Sequence, residues 1–506
     1  MNASPTTTGS TASTSTTIST STATSIGSAP RDYALTGAAS RRAVQDGLAD
    51  AQWYRPAVSP ERMQVLMARS NGRAAFHTVL WLALLAGSGA LAFQSRGRWW
   101  AIPAFAAYGA LYGGAADPRW HECGHGTAFK SRWANDVVYT VASFMLLREP
   151  TMWRWSHVRH HSDTIIVGRD PEISFPRPFK VRVVLANYLH LLNGPAMLRR
   201  MVRHAFGSID DDARDFVPED DLPRVVWEAR IFVAILAGVI AWSVLIGSIV
   251  PLLFIGLPSF YGVWLLWFFA VTQHGGLRED VLDHRLNTRT VYINPVFRFL
   301  YLNMNYHLEH HLFPSVPYHH LPQLHAEIKH HLPPPKTSMF AAYREIVLAL
   351  RRQHKDPTWE LPLPVLPADA PAAVLSSKVT SDVEDPEADA VDIGAADMIE
   401  TGRIVRLDLN GRTYALCRPT ADLYALTDGL CTHGQTHLAE GFLDGCTIEC
   451  PKHNGRFDVR TGEPLRKPVR IPLATYEIER VGGRLMARLD GRRVPPPPAL
   501  RTTPSR

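Results

Sequence analysis

Cysteine is scarce in this chain, and its scarcity argues against a disulfide scaffold. The 506 residues include only five cysteines, an odd number, without the regular spacing of a disulfide framework. The N-terminal residues also lack the cationic start and apolar core of a secretory signal peptide. A G-x-G-x-x-G turn is missing too, so we expect no dinucleotide-binding domain. These absences predict a reducing compartment and a separate protein as the source of electrons for any redox chemistry.

Charge does not indicate a nucleic-acid-binding protein. The formal net charge is +6, but the basic residues flank apolar runs instead of forming one patch. Such an arrangement is typical of a surface beside anionic lipids. We therefore expect a lipid bilayer, and no nucleic acid, among the partners. The apolar runs predict four transmembrane helices, over residues 75–93, 99–116, 230–250 and 252–271.

Three segments have a composition that does not favour a folded core. We expect disordered tails at residues 1–35 and 492–506, and a linker rich in proline, alanine and acidic residues at 356–389. The rest of the chain then divides into two domains. Residues 36–355 form the helical membrane domain, and residues 390–491, with short β-type runs, form a smaller one.

Histidines at helical spacing carry the strongest functional signal. Two stretches read H-x-x-H-H and one reads H-x-x-x-H, and residues three and four apart share one face of a helix. The histidines in these three boxes are His121, His125, His157, His160, His161, His307, His310 and His311. Eight imidazoles are too many for one tetrahedral zinc and enough for two metal ions. His274, at the end of an apolar run, is a candidate ninth ligand.

The three boxes resemble the membrane fatty-acid desaturase and hydroxylase superfamily, from about residue 75 to about residue 335. The resemblance implies two iron ions held by the nine histidines, O2 as co-substrate, and a lipid or fatty acyl substrate, with desaturation favoured. The region around His274 and residues 287–292 also resembles members that include rhizopine-oxidising oxygenases. Hydroxylation of an alkyl chain or a small metabolite therefore stays open. Glu122, Glu309 and Asn305 are candidates to orient the ligand imidazoles.

Two functions of other classes also stay open. His121, Glu122 and His125 match the H-E-x-x-H pattern of zinc proteases, in which one zinc ion and the glutamate act together. A membrane redox sensor would use metal centres without turning over a substrate. Three boxes that each adjoin an apolar segment favour the oxidase over both.

A second metal site is predicted in the β-rich region. Cys431 and His433 form a C-x-H pair, and Cys450 and His453 follow as C-x-x-H. Two thiolates and two imidazoles from two loops are the ligand set of a Rieske [2Fe–2S] cluster. A Cys2His2 zinc site usually has the order C-x-x-C followed by a histidine pair, which does not match.

The surrounding residues resemble the Rieske ferredoxins that serve bacterial oxygenases, over about residues 390–490. The resemblance implies reduction by an NAD(P)H-dependent flavoprotein reductase. High-potential Rieske proteins have two further cysteines and a serine where this chain has Thr436, Lys452 and Gly455. Fewer hydrogen bonds to the cluster predict a potential at the low end of the Rieske range. The linker would give the domain a reach of roughly 30 Å.

The predicted fold class is multi-domain. An α-helical integral membrane domain, with four transmembrane helices and a cytoplasmic helical cap, precedes a small all-β Rieske domain. Four spans place both termini on one side together with the arginine-rich segment 148–230, which the positive-inside rule makes cytoplasmic. Both metal centres would then face the cytoplasm from the inner membrane.

The sequence also predicts five local features. Ser59 should begin one helix, and residues 338–353 should form another. Residues 179–206 predict a single amphipathic helix at the membrane interface. The acidic run at 210–221 predicts a solvated loop. Five histidines without box spacing should lie on the surface, namely His319, His320, His325, His330 and His331.

Overall fold

The computed structural model describes residues 31–49, 53–364, 366, 379–380, 390–409 and 411–493. The predicted N-terminal tail, apart from its last residues, the C-terminal tail beyond residue 493 and most of the linker lie outside these residues. Residues 32–506 cluster as one compact unit. Its described part is helical as far as Lys355 and contains strands after that point. A helical domain followed by a small all-β domain is therefore confirmed.

The chain enters the helical domain through three helices. They are α1 (Ala38–Gln45), α2 (Pro60–Leu66) and α3 (Asn71–Gln94). The predicted start of α2 is confirmed, because the Ser59 hydroxyl accepts a hydrogen bond from the Arg62 backbone N–H. Ser70 caps α3 in the same way through the Arg73 N–H. At 24 residues, α3 is about 36 Å long, enough to cross a bilayer.

The next helical run leads directly into the first histidine box. It consists of α4 (Ala101–Gly109), a π-helical turn (Ala110–Gly114) and α5 (Ala116–His125). The expectation that the second apolar run continues into the box is confirmed. The π turn is a local widening of the helix that often occurs at functional sites. Here it is followed immediately by the helix that carries His121 and His125.

The next part of the chain forms six helices and a short turn, and the second of these helices carries the second box. They are α6 (Arg132–Met145), α7 (Pro150–Ser162), α8 (Val181–Tyr188), α9 (Asn193–Ala205), α10 (Asp211–Phe216), a 3-10 turn (Glu219–Asp221) and α11 (Leu222–Leu245). The prediction of one helix over residues 179–206 was wrong. The chain breaks between α8 and α9 at His190, which has φ 55° and whose ring Nδ1 donates to the Ser259 carbonyl.

The acidic run is not a solvated loop throughout. Asp210 caps α10 by accepting from the Ala213 backbone N–H. Asp221 is buried and accepts a hydrogen bond from the Trp155 indole at 2.9 Å. An acidic residue with a buried partner on a distant helix gives no local signal in the sequence, which explains the wrong prediction.

The second half of the helical domain carries His274 and the third box. Its helices are α12 (Val250–Phe254), α13 (Pro258–Tyr261), α14 (Trp264–His274), α15 (His284–Asn287), α16 (Pro295–Leu300), α17 (His307–Leu312), α18 (Leu321–Ile328) and α19 (Met339–Lys355). The predicted helix after the third box is confirmed as α19. The Ser338 hydroxyl begins it by accepting from the Ala341 N–H.

Three helical segments of the described chain are long and apolar enough to cross a membrane: Glu61–Gln94, Glu219–Leu245 and Val250–His274. The first two expose much of their apolar surface; Phe76, for example, is 64% exposed and Ile231 54%. Such surface needs an apolar environment. Together these helices indicate a membrane protein. The run at 99–116 is helical but is not among the three, so the count of four spans stays a prediction.

Eleven strands lie in the described part of the chain after Lys355. They are β1 (Val379–Thr380), β2 (Val391–Ala395), β3 (Arg403–Leu409), β4 (Arg412–Thr420), β5 (Leu423–Asp428), β6 (Phe442–Asp444), β7 (Thr447–Glu449), β8 (Arg456–Asp458), β9 (Pro464–Arg466), β10 (Thr475–Val481) and β11 (Arg484–Arg493). Seven form a sheet in the order β1-β3-β4-β5-β10-β11-β2, and β6 to β9 form a four-stranded antiparallel sheet. In the predicted hairpin at 410–411, Leu409 pairs with Arg412; Asn410 itself lies outside the described residues.

Candidate metal centres

The three boxes and His274 lie at the ends of helices that converge in the helical domain. His121 and His125 are one turn apart on α5, and His157, His160 and His161 form the last turns of α7. His307, His310 and His311 lie on α17, and His274 is the last residue of α14. The helical spacing therefore presents each set of rings on one face, as the sequence pattern requires.

The structure brings all nine histidines together in two groups. One group is His121, His125, His157, His161 and His310; the other is His160, His274, His307 and His311. In each group the candidate ligand nitrogens all lie within 4.8 Å of one another. Every box contributes to this pair of groups, and His160 and His161, adjacent in sequence, point into different ones. Two neighbouring groups are the arrangement that two metal ions require.

The ring nitrogens face one another at distances that fit metal ligands. In the first group, Nε2 of His121 lies 2.7 Å from Nε2 of His310, and Nε2 of His125 lies 3.0 Å from that of His157. In the second, His307 Nε2 lies 3.2 Å from His274 Nε2. Two nitrogens bound to one ion at roughly 2.1 Å are about 3.0 to 3.4 Å apart. Two of the three distances fall in this range and the His121–His310 distance is shorter, and the all-imidazole donor set fits a metal ion in each group.

Three of these imidazoles are oriented by a carboxylate or a backbone carbonyl that contacts Nδ1, the ring nitrogen that points away from the group. His157 Nδ1 lies 3.2 Å from Glu172 Oε2, and His160 Nδ1 lies 2.9 Å from Asp170 Oδ2. His274 Nδ1 donates to the Asn287 carbonyl at 2.8 Å. A ring that donates from Nδ1 keeps the lone pair of Nε2 for the metal. Asp170 and Glu172 were missed in the sequence, where only their closeness to the second box could have indicated them.

The residues predicted to orient the imidazoles have other partners. Glu122 accepts a hydrogen bond from the Tyr318 backbone N–H at 3.0 Å, and the Asn305 amide donates to the Val291 carbonyl. Glu309 accepts from Thr290 and also contacts His325. The orienting role predicted for these three residues is therefore wrong. Spacing along a helix does not show which way a glutamate between two ligands turns.

The additional histidines are partly buried, contrary to expectation. His320 and His325 are buried. Nδ1 of His325 contacts Glu309, and its Nε2 lies 2.8 Å from the Tyr292 hydroxyl. His320 Nδ1 donates to the Leu66 carbonyl. His330 is exposed, as predicted. His320 and His325 support the third box and the entry to α3 and contribute to neither group.

Burial keeps most of the candidate ligands neutral. It lowers the pKa of six histidines well below the usual value, namely His121, His125, His161, His307, His310 and His311. His160 differs: burial lowers its pKa, but the Asp170 carboxylate outweighs burial and the net shift is upward. Neutral imidazole is the form that binds a metal ion, so the site is set up for cations without prior proton loss.

A cavity of about 430 Å³ opens onto both groups. Its walls include His121, His157, His160, His274 and His307. The volume falls in the range of small-molecule sites. Aromatic and aliphatic side chains form one part of the lining, including Trp120, Phe175, Leu266 and Trp267. Polar and charged side chains form another part, including Asp117, Arg148, Arg177, Asn187, Gln273, Glu279 and Gln353.

The second predicted site lies at one end of the β domain. Cys431 and His433 follow β5, and Cys450 and His453 lie between β7 and β8. Both cysteines are buried, and Nδ1 of His433 lies 3.2 Å from Nδ1 of His453. Two Nδ1 atoms that face each other at this distance fit one iron of a Rieske cluster.

Gly455 explains one departure from the high-potential Rieske pattern. A Cβ at this position would lie 2.4 Å from Cγ1 of Val469. A serine, the residue that donates a hydrogen bond at this place in the high-potential proteins, is thus excluded unless Val469 moves. The low-potential expectation consequently has a steric cause within the β domain.

Comparison with known proteins assigns both parts of the chain. Residues 97–343 match the fatty acid desaturase family and residues 389–477 match the Rieske [2Fe-2S] domain. The chain therefore carries a fatty acid desaturase domain over residues 97–343 and a Rieske domain over residues 389–477. The desaturase family implies a di-iron centre and the Rieske domain a [2Fe–2S] cluster. The combination is that of an oxygenase with its own electron-transfer module.

Several Rieske-type ferredoxins are similar to the C-terminal part of the chain. The ferredoxin component of the naphthalene 1,2-dioxygenase/salicylate 5-hydroxylase systems of Ralstonia sp is 40% identical over 100 residues, 20% of this chain and 95% of the relative. The naphthalene 1,2-dioxygenase ferredoxin component of Pseudomonas aeruginosa is 42% identical over 96 residues, 19% of this chain and 91% of the relative. A solved complex of reduced oxygenase and oxidized ferredoxin in carbazole 1,9a-dioxygenase matches at 34% identity, with a TM-score of 0.20, over 21% of this chain and 98% of that one.

Proposed function

We propose that the protein is a membrane-bound oxidoreductase that uses O2 to oxidise an unactivated C–H bond, with electrons supplied by its Rieske domain. The observation that carries the proposal is the pair of histidine groups in the wall of one cavity. Nine imidazoles, His121, His125, His157, His160, His161, His274, His307, His310 and His311, would hold two iron ions. When bound, the iron pair supplies the activation of O2.

The protein's own residues prepare the site for this chemistry. Asp170 and Glu172 fix the rings of His160 and His157, and the Asn287 carbonyl fixes His274. Fixed rings keep each ligand set in place without reorganisation during turnover. The cavity walls hold the substrate carbon beside the histidines and reduce access of water to it.

A lipid or fatty acyl substrate, with desaturation as the reaction, is the substrate class we favour. The apolar wall of the cavity comes partly from α14, at Leu266 and Trp267. This helix belongs to a candidate membrane span. An acyl chain that enters from the bilayer would therefore meet apolar side chains on its way to the histidines.

Hydroxylation of a small metabolite is the second candidate, and the polar part of the cavity favours it. Asp117 and Arg148 form an ion pair at 2.8 Å in the lining, and Arg177 pairs with Glu279 at 3.4 Å. Charged side chains in a cavity wall can bind and orient a polar ligand, whereas a hydrocarbon chain offers them no partner. The same metal centre would serve either substrate.

The zinc protease and the redox sensor have less support. A protease of the H-E-x-x-H type needs the glutamate beside the metal-bound water. Glu122 instead accepts from the Tyr318 backbone, and burial raises its pKa to about 7. His121 and His125 also share their group with three further imidazoles. A sensor has no need of a cavity that reaches both groups.

The proposed topology has four spans, with both termini and both metal centres cytoplasmic at the inner membrane. Three spans correspond to the long apolar segments, and residues 99–116 would supply the fourth, since they lead into the first box. The arginine-rich region between α6 and α11 would lie on the cytoplasmic side. An NAD(P)H-dependent flavoprotein in the cytoplasm would then reach the Rieske domain.

Lipid and metabolite profiling tests the function directly. Cells that express the wild-type protein should gain an oxidised product, a new alkene or alcohol, that requires O2. The product should disappear in the His157→Ala variant and persist in His330→Ala, which replaces an exposed histidine outside both groups. Identical profiles for wild type and His157→Ala would contradict the proposal.

A further inference from the structure

The Rieske domain touches the helical domain through one of its own candidate ligands. Nε2 of His453 lies 2.7 Å from Oγ of Ser162, and both side chains are buried. Ser162 is the last residue of α7 and directly follows His161, a member of the five-histidine group. At this point the two predicted metal sites are therefore connected by the His453–Ser162 hydrogen bond and by the backbone between Ser162 and its neighbour His161.

The position of the proton on the His453 ring defines which atom donates in the His453–Ser162 hydrogen bond. With His453 Nδ1 facing His433 as a ligand of the cluster, the neutral ring carries its proton on Nε2. Nε2–H then donates to Ser162 Oγ. The Ser162 hydroxyl in turn donates to the Val158 carbonyl at 3.0 Å. Every donor in this short chain has an acceptor, so the contact needs no rearrangement when the cluster is present.

A small cavity of about 60 Å³ beside this contact has walls from both domains. His121, His125 and His157 line it from the helical side, and His453 and Arg466 from the Rieske side. The side chain of Arg466 also donates to the His125 carbonyl. The Rieske domain is thus seated on the helix ends that carry the first and second boxes.

Ion pairs hold the Rieske domain in this position. Arg69, just before α3, lies 2.6 Å from Glu449, the residue that precedes Cys450; their side chains are 6% and 2% exposed. Lys467 contacts Asp221 and Arg470 contacts Asp220. Both charges of the Arg69–Glu449 pair are removed from water in this position and satisfied there, and Glu449 also pairs with Arg456 at 2.7 Å. The pair therefore fits a docked Rieske domain.

From these contacts we propose that the Rieske domain delivers electrons from this docked position, with Ser162 as the positioning residue that aligns His453 with the five-histidine group. The inference rests on the proposed function, in which the cluster is the electron donor. Each delivery oxidises the cluster by one electron and reduces the iron pair by one. A flavoprotein reductase restores the cluster, and the exposed side chain of His433 provides an edge that it can reach.

Intramolecular electron transfer in the full-length, iron-loaded protein tests the role of Ser162. The cluster is reduced without O2 by a limiting amount of dithionite, and its reoxidation by the oxidised iron pair is followed by visible absorbance and freeze-quench EPR. Ser162→Ala should slow reoxidation roughly threefold to tenfold, the factor that corresponds to one hydrogen bond. Ser162→Thr, which keeps the hydroxyl, should restore most of the rate. Cluster absorbance and iron content should match wild type in both.

Controls separate positioning from general damage. Ser208→Ala replaces an exposed serine away from the interface and should transfer at the wild-type rate. If the wild type transfers electrons and Ser162→Ala transfers them at the same rate, the docking proposal is overturned and the proposed function is not. Absence of transfer in the wild type would instead overturn the proposed function.

A charge exchange at the edge of the interface provides an independent test that leaves Ser162 intact. Arg470→Asp should slow transfer, and the double variant Arg470→Asp with Asp220→Arg should recover it, because the pair is rebuilt with reversed charges. Arg480→Asp, on the exposed part of β10, is the matched control and should have no effect. Failure of the double variant to recover any of the lost rate would contradict docking by this pair.

Discussion

At the scale of single residues, two carboxylates outside the boxes, Asp170 and Glu172, each orient one candidate ligand ring. Asp170 lies against His160 and also accepts from the Ile165 backbone N–H at 2.8 Å. It is almost fully buried. The carboxylate thus connects a ligand ring to the loop that forms the cavity wall.

We predict that Asp170→Asn weakens iron binding in the helical domain. The loss of a carboxylate behind a ligand histidine typically costs 10- to 100-fold in metal affinity. Metal analysis should find about two irons per chain where the wild type has about four, since the Rieske site is unaffected. The exposed Asp211→Asn is the control. Full iron content in Asp170→Asn, after exposure to a chelator that spares the wild type, would show that Asp170 is dispensable.

His204 forms a second buried network, away from the metal sites. Its Nδ1 lies 2.8 Å from Glu149 and its Nε2 lies 2.8 Å from Asp210. Burial lowers the pKa of His204, but the two carboxylates outweigh burial and raise it overall. Burial raises the pKa of Asp210, but hydrogen bonds from His204 and the Ala213 backbone N–H outweigh burial and bring this pKa down to about 2.

These shifts predict a pH-dependent contribution to stability. A raised histidine pKa stabilises the fold fully below the unfolded value of about 6.5, and the contribution disappears as pH rises through the folded pKa. Asp210 contributes throughout this range, because its stabilisation is lost only on acidification toward pH 2. His204→Gln should therefore lower the melting temperature more at about pH 6 than at about pH 9. An equal loss at both pH values would mean that His204 is neutral in the fold.

At the scale of elements, the first box depends on close packing between α4 and α13. A Cβ at Gly262 would lie 1.9 Å from the carbonyl oxygen of Gly109. The two backbones meet directly at the point where α4 passes into the π turn. This contact sets the position of α5, which begins two residues after the π turn and carries His121 and His125.

We predict that Gly262→Ala destabilises the helical domain and lowers its iron content. Overpacking typically costs 1–3 kcal/mol, and a clash with backbone should reach at least the upper end of this range, about 3 kcal/mol. Thermal unfolding in detergent measures the effect. Gly238→Ala on α11 is the matched control, since nothing lies within 4 Å of its added Cβ. Equal melting temperatures for the two variants would contradict the packing argument.

Patterns within one element were predicted correctly, and contacts between elements were not. Helical spacing identified eight of the nine histidines in the two groups, because the ligands in a box share one helix face, and the end of an apolar run indicated His274. The caps at Ser59 and Ser338 are likewise local. Asp221 and His325 were misassigned because their partners, Trp155 and Glu309, lie on other elements. The break at His190 depends on Ser259, 69 residues away.

At the scale of the whole molecule, two metal centres share one chain but not one ligand set. We predict that Cys431→Ser abolishes the visible absorbance of the Rieske cluster and leaves the di-iron site loaded. Iron should fall from about four to about two per chain, because each centre holds two. The buried Cys417→Ser variant is the control, since Cys417 lies in the β core outside the cluster loops. Loss of all four irons in Cys431→Ser would contradict two separable centres.

Docking changes how the fused electron donor is expected to work. A domain on a flexible linker would search for its acceptor over roughly 30 Å. The buried Arg69–Glu449 pair and the Ser162–His453 contact instead describe a donor already in place. Electron delivery would then depend on reduction by the external flavoprotein and not on the length of the linker.

Product chemistry distinguishes the two reactions proposed for this site. Desaturation and hydroxylation both begin with removal of one hydrogen from a substrate carbon. The carbon radical then either loses a hydrogen from the neighbouring carbon or takes up oxygen. The choice depends on how closely the second C–H bond approaches the metal centre, which the cavity walls at Leu266 and Trp267 help to set.

We predict that an acyl substrate gives an alkene. With deuterium on two adjacent carbons and 18O2 as oxidant, mass spectrometry should find the loss of two deuterium atoms and no 18O in the lipid product. The same reaction in unlabelled O2 and in the His310→Ala variant provides the background. An alcohol that carries 18O and has lost a single deuterium would establish hydroxylation as the reaction. That outcome would overturn desaturation and leave the assignment of both metal centres intact, because the same two groups of histidines serve the first hydrogen removal in either case.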